Sequence, residues 1–159
     1  MKFTCQKEDL LRVFMASEPI TGTKTNFSIL SNLLFETRDD STVSIKASNL
    51  ETTIEARLPA KIASPGAITI FQGKLSQIIK QFPNGEVLFD LGKNSMMTVR
   101  SMDKKRNARA TIVGTPKADF PELPTFPAKT SALTVDKLYF RRMIQKTLFA
   151  VSSDANKYT

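Results

Sequence analysis

Residues 41–58 read STVSIKASNLETTIEARL, and the alternation inside this stretch decides the kind of fold available to the chain. Val43, Ile45 and Ala47 alternate with Thr42, Ser44 and Lys46, and Ile54, Ala56 and Leu58 alternate with Thr53, Glu55 and Arg57. A period of two sends one set of side chains to each face, so both runs are half-buried antiparallel strands. Upstream, MKFTC is short and alternating and leads into EDLLRVFMAS (8–17), whose Leu10, Leu11, Phe14 and Met15 recur at helical spacing. That predicts a strand and then a helix, with period two taking over from Ile29 onward. Downstream, SPGAITIF (64–71) gives a turn and a strand. GKLSQIIKQFPNG (73–85) sets Leu75, Ile78, Ile79 and Phe82 on one helical face, leaves Lys74, Gln77, Lys80 and Gln81 on the other, and stops at Pro-Asn-Gly. EVLFDL, SMMTVRS and NARATIVG add three strands, the last two joined by the charged turn MDKKRN (102–107). The sum is an α+β domain rich in antiparallel strands, with two helices.

The next stretch, TPKADFPELPTFPAKTSA (115–132), holds four prolines and suits an extended crossing segment rather than a helix or a central strand. Beyond it, LTVDKLYFRRMIQ from Leu133 aligns without gaps on FTCQKEDLLRVFM from Phe3, matching Thr134 to Thr4, Lys137 to Lys7 and Arg142 to Arg12. A repeat at domain spacing predicts similar domains in series. The expected organisation is a first domain at 1–122, a proline-rich linker at 123–132, and the start of a second, truncated domain at 133–159.

The 159 residues, 41% apolar and 24% charged, can bury one sizeable core. No apolar run approaches the roughly 18 residues that would cross a bilayer, and MKFTCQKEDLL lacks a secretory apolar stretch, so a cytoplasmic location is expected. Cys5 is the single cysteine, which leaves no intrachain disulfide and reads as a strand residue. There is no histidine, which removes imidazole general bases, Ser-His-Asp and Cys-His machinery and mixed Cys/His zinc sites. Asp39 with Asp40, placed in a turn, and Glu51 with Glu55, placed on the polar side of a strand, are the remaining carboxylate pairs, and neither resembles a metal site. NFSILSN forms no phosphate loop. The chain reads as a non-enzyme needing no cofactor and no metal.

A net charge of +8 and a pI near 9.7 favour a polyanionic partner. Positive charge is densest over residues 123–159, where Lys129, Lys137, Arg141, Arg142, Lys146 and Lys157 face only Asp136 and Asp154. Lys137 and Arg141 are four apart on one helical face, while Phe140, Met143, Ile144 and Leu148 form the apolar stripe. All three predicted helices thus set Lys, Arg or Gln opposite an apolar face, an arrangement that contacts phosphates without reading bases. With no Trp, two Tyr, and Phe residues in apolar patterns, stacking on single strands is disfavoured and duplex contact is expected.

Five blocks, MKFT at the start, ILSNLLFE (29–36), ASNLETTIEARL (47–58), GAITIFQGKLSQIIKQFP (66–83) and ADFPELP (118–124), resemble in order and spacing the bacterial sliding-clamp family, the beta subunit of the replicative DNA polymerase III. The resemblance covers essentially the whole chain. It implies the DNA-clamp fold, with antiparallel sheets outside and two helices per domain inside, three such domains per chain, and two chains closing head to tail around duplex DNA. The implied function is processivity: topology tethers the polymerase, so a weak, sequence-blind lining suffices. By the same resemblance Lys24 stands where similar clamps carry a DNA-touching Arg, and Arg12, Lys74 and Lys80 fall on inner-helix or rim positions. Asp154 stands where some clamps hold a DNA-contacting Gln, and Lys157 and Tyr158 match a following Arg-Tyr pair. The expected DNA contacts are Lys24, Arg12, Lys80, Lys137, Arg141, Lys157 and Tyr158. Lys74, Arg109, Ala110 and Ile112 match the interface between protomers, Ala110 replacing a bulky aromatic, and the MDKKRN turn is longer than in some relatives. The groove that receives peptides from polymerase and clamp-loader subunits would lie mostly outside this chain, which alone is expected to be monomeric and to bind DNA weakly. A stand-alone basic nucleic-acid-binding domain is the competing expectation.

Overall fold

The computed structural model describes residues 1–22, 27–38, 41–123 and 133–152. The chain divides into two units, Met1–Leu123 and Pro124–Thr159. In the first, strand β1 (Lys2–Gln6) runs directly into helix α1 (Lys7–Thr21). A single turn of 3-10 helix at Ser28–Ser31 precedes β2 (Asn32–Arg38), β3 (Thr42–Ser48), β4 (Thr53–Pro59), β5 (Lys61–Ser64) and β6 (Ala67–Phe71). Helix α2 (Gln72–Gln81) follows without a break, then β7 (Glu86–Leu91), β8 (Met96–Ser101) and β9 (Arg109–Val113).

Among the described residues, nine strands form two antiparallel sheets, one in the order β5-β1-β7-β8-β9 and the other in the order β4-β3-β2-β6. The alternation at 41–58 is realised as a hairpin: β3 and β4 pair with Val43 opposite Leu58 and Ala47 opposite Ile54. Its turn is tied by Asn49 Oδ1, which accepts from the N–H groups of Glu51 and Thr52 at 3.1 and 2.7 Å. Glu51 therefore lies in the turn, not on the strand where the sequence reading placed it, because Asn49 ends the pairing at Ser48–Thr53. The short β5 was not anticipated. After Pro59 and Ala60 the chain leaves one sheet for the other, and four residues carry too little alternation to announce a strand.

Helix α1 is longer than its apolar repeat, continuing through Pro19 to Thr21. The core lies between the sheets and under the helices, joining Phe3, Leu10, Phe14, Phe35, Ile45, Leu75, Ile79, Phe89 and Val99, all at most 2% exposed. At its centre the rings of Phe3 and Phe89 from one sheet stack at 4.8 Å and both meet Phe35 of the other, at 6.5 and 6.0 Å. Such aromatic contacts add about 0.5–1.5 kcal/mol per pair beyond burial. After β9 the chain crosses the free side of β6, Thr69 and Thr115 exchanging N–H···O bonds of 2.9 Å. Gly114 permits this approach, since a Cβ there would stand 2.6 Å from Ile68 Cγ1 and 2.8 Å from Thr69 O.

In the second unit, α3 (Lys137–Thr147) is capped by Asp136, whose carboxylate accepts from Leu138 and Tyr139 N–H at 3.0 and 2.9 Å. Its apolar stripe, including Phe140, Met143 and Ile144, is exposed.

Candidate nucleic-acid interface

Polar links at both ends fix how α1 and α2 lie together. Lys7, the first residue of α1, is buried and its Nζ donates to the carbonyls of Phe82 (2.5 Å) and Lys80 (3.4 Å) and to Asn84 Oδ1 (3.3 Å) at the C-terminal end of α2. Gln72, the first residue of α2, is 4% exposed; its Nε2 donates to Phe14 O at 2.8 Å and its Oε1 accepts from Thr21 Oγ1 at 2.6 Å. The start of each helix thus meets the later part of the other, so the pair is antiparallel. A cation at the N-terminus of α1 opposes that helix's dipole, but the same cation sits at the C-terminus of α2, where orphan carbonyls attract it. Sequence reasoning missed Lys7, Thr21 and Gln72. The signal that could have found Lys7 is a lysine at a helix start, where electrostatics disfavour it unless it serves another element.

With the apolar sides locked inward, α2 turns Lys74, Gln77, Lys80 and Gln81 to solvent. The exposed side of α1 differs from the expectation of a basic face. Arg12 is exposed and bonded to Asp9 Oδ1 at 3.3 Å, with Glu8 and Glu18 exposed on the same helix. The pair therefore joins a basic surface on α2 to an acidic one on α1. Where the C-terminus of α1 meets the N-terminus of α2, a cavity of about 530 Å³ is lined by Glu18, Thr21, Phe71, Gln72 and Lys80 among others, with one charge of each sign among the described residues. On α3, Lys137 and Arg141 are exposed on one face. Lys24, Asp154, Lys157 and Tyr158, and the pair Asp39 and Asp40, lie outside the described residues.

Of the interface candidates, Arg109, Ala110 and Ile112 lie on β9, the end strand of its sheet, whereas Lys74 belongs to α2. Arg109, Thr111 and Val113 are exposed, while Ala110 is partly buried and Ile112, 5% exposed, is part of the core. Ile112 thus offers a partner its main chain rather than its side chain. Arg109 stands opposite Arg100 across the β8–β9 pair, and the turn between these strands exposes Lys104, Lys105 and Arg106.

Of the carboxylates weighed for chemistry, Glu55 is engaged in structural contacts. Glu55 accepts from Ser44 Oγ at 2.9 Å and pairs with Arg38 and Arg57; the Ser44 hydrogen bond leads in holding it below the ordinary carboxylate range. Burial pushes Glu36 up, but hydrogen bonds and charge from Lys117 and Lys46 outweigh it and leave the group below its ordinary value. Burial above all, then the charges of Asp9 and Glu86, pushes the Cys5 thiol up to about 12. Among the described residues no three His, Cys, Asp or Glu side chains converge as a metal site, and no helix is long and apolar enough to cross a membrane.

Two sheets covered by an antiparallel helix pair are the architecture of a DNA-clamp domain. The solved DNA polymerase sliding clamp of Bacillus subtilis superposes with a TM-score of 0.87 at 25% identity, over 99% of this chain and 42% of that one. The sliding clamp of Caulobacter crescentus gives 0.84 at 25% identity, over 99% and 42%. The chain belongs to the DNA polymerase III beta subunit family, whose N-terminal domain matches residues 1–124. Among curated relatives, the beta sliding clamps of Treponema pallidum and Escherichia coli K12 are 26% and 29% identical over 99% of the chain. The chain spans 41% and 42% of the length of these relatives.

Proposed function

We propose that this chain supplies the first domain, and the opening helix of a second, of a sliding clamp that encircles duplex DNA and tethers DNA polymerase III for processive replication. The observation that carries the reading is the locked α1–α2 pair, which holds a row of Lys and Gln side chains outward on a domain of the DNA polymerase III beta subunit family. Contacts run from Lys24, Arg12, Lys80, Lys137, Arg141, Lys157 and Tyr158 to phosphates, without base readout. The mixed charge of the helix pair suits a ring that must slide: tight electrostatic binding would stall it, and topology supplies the retention.

The domain boundary near residue 122 is supported by the compact unit ending at Leu123 and by the family match ending at residue 124. The uncovered apolar stripe of α3 supports residues 133–159 as the start of a second domain, whose remainder would bury that stripe. Ring closure between two full-length chains uses the open edge of β9, with Arg109 and Ala110 and the main chain of Ile112, together with Lys74. Such a head-to-tail contact is heterologous and closes by rotation. Clamp-loader and polymerase subunits bind a groove mostly beyond this chain, the 159-residue chain alone is monomeric, and the protein works in the cytoplasm with no cofactor and no chemistry of its own.

The test loads the full-length protein on nicked circular duplex DNA, washes with high salt and then linearises the circle. Retention through the wash and loss on linearisation is the expected result. Loss during the wash, with the steep salt dependence of simple phosphate contact, would replace the ring by an ordinary basic DNA-binding domain.

A further inference from the structure

The turn between α2 and β7 reads Pro83-Asn84-Gly85, and its geometry bears on the chemistry of Asn84. Asn84 is exposed. Gly85 has φ +114°, with nothing within 4 Å of the point where a Cβ would project, so its backbone nitrogen is unshielded by any side chain of its own. Among the described residues that N–H meets no acceptor, whereas the Gly85 carbonyl is anchored by the Lys7 N–H at 2.9 Å. The ammonium of Lys7, buried and held by Phe82 O, donates to Asn84 Oδ1 at 3.3 Å. A free nucleophile thus follows an amide whose carbonyl oxygen already receives a charged donor.

We propose that Asn84 is a self-modifying residue, converted through a cyclic imide with Gly85 under assistance from the Lys7 ammonium. The Gly85 nitrogen gives its proton to a solvent base and forms a bond to Asn84 Cγ. Negative charge developing on Oδ1 is stabilised by Lys7 Nζ, as an oxyanion donor does. The Cγ–Nδ2 bond then breaks, Nδ2 takes up a proton and ammonia leaves, closing a five-membered succinimide with no change of oxidation state. Water opens that ring in one of two ways. Attack at Cγ restores the main chain with aspartate at 84, which places a carboxylate against Lys7 and tightens the link between α1 and α2. Attack at the original main-chain carbonyl leaves isoaspartate, whose extra backbone methylene displaces Gly85 O from the Lys7 N–H and loosens the same link.

The experiment incubates the 159-residue chain at mildly alkaline pH beside a free peptide of residues 80–90. Conversion of Asn84 is followed by peptide mass spectrometry and by enzymatic methylation of isoaspartate. The expected result is that the folded chain converts Asn84 at least as fast as the peptide. Lys7→Met should slow the reaction by about tenfold, less than the hundredfold or more of an ideally aligned oxyanion donor because the contact is long, and Lys7→Arg should retain most of the rate. Conversion slower in the folded chain than in the peptide would overturn the proposal, as would an unchanged rate in a folded Lys7→Met variant. Should circular dichroism show that variant unfolded, the comparison of folded chain with peptide decides alone.

Discussion

Replacing Lys7 by methionine keeps an unbranched apolar stem, one heavy atom shorter, while deleting the charge that closes the end of α2. Three contacts disappear, to Phe82 O at 2.5 Å, Asn84 Oδ1 at 3.3 Å and Lys80 O at 3.4 Å. The two carbonyls sit at the helix C-terminus, and leaving such acceptors without their donor costs about 1–3 kcal/mol. Loss of a cation from that end of the dipole adds about 0.3–1 kcal/mol. The more buried methionine returns part of this through apolar burial, so a net loss of about 2 kcal/mol is expected, or a fall in Tm on the order of 8 °C for a domain of this size. Urea unfolding followed by far-ultraviolet circular dichroism measures it, with Lys7→Arg as the control that keeps the charge and should lose less than half as much. A Lys7→Met variant with an unchanged midpoint would refute the reasoning: the link between the helices would then be geometric only, with water replacing the ammonium at no cost.

Three further outcomes follow from the same structure. Cys5, 3% exposed and with its thiol pushed up to about 12, should react with a thiol reagent at pH 8 about a thousandfold more slowly in the native chain than in urea, since labelling must await opening of the core; protection of less than tenfold would contradict the burial. Glu36, held below its ordinary value despite burial by Lys117 and Lys46, contributes stability that is complete above the ordinary carboxylate range and is lost as pH falls through the lower folded value. Wild type should therefore lose Tm on acidification more steeply than Glu36→Gln, and parallel acid profiles would show that the pairing carries no linkage. Lys80→Ala removes an exposed cation while keeping the main-chain carbonyl that Lys7 uses. It should leave stability within about 0.5 kcal/mol and reduce the salt dependence of DNA binding by about one ion, read by fluorescence anisotropy across a salt series; an unchanged slope would take Lys80 out of the DNA-facing set.

What the sequence disclosed and what it hid divide along a physical line. Elements that bury one face announce themselves by period, and the hairpin of β3 and β4, the helix α2 and the strands β7 to β9 all do so. The strand β5 does not, because four residues at a corner between sheets carry almost no periodic signal. The direction of each charge was harder to read than its presence. Arg12 looked like one of a row of free cations, yet Asp9 bonds it, and Glu8 and Glu18 are exposed on the same helix. Lys7, earlier on the same helix, was passed over, although unlike Arg12 it crosses to the partner helix. Net charge counts both residues equally; only three-dimensional placement separates a structural cation from a surface one. Ile112 shows the same limit in apolar form, since a strand edge and a core position are spelled with the same residue, and the β9 pairing sends this one inward.

The arrangement of the helix pair also explains how a basic surface can be built without charging the whole domain. Polar contacts sit at the two ends of the pair, Lys7 on one and Gln72 with Thr21 on the other, while Leu10, Val13, Leu75 and Ile79 fill the middle. Apolar packing alone tolerates rolling of one helix on another, because it lacks direction. Directional bonds at both ends remove that freedom, so the azimuth of Lys74 and Lys80 is set by residues that touch no ligand. The proposed binding and the stability then reside on different side chains of the same two helices: the exposed cations can change with little effect on folding, and the buried links can be weakened with little change in net charge. In the proposed clamp, whose lining would hold a polyanion loosely, this separation lets affinity be tuned at single exposed positions while the orientation of the surface stays fixed.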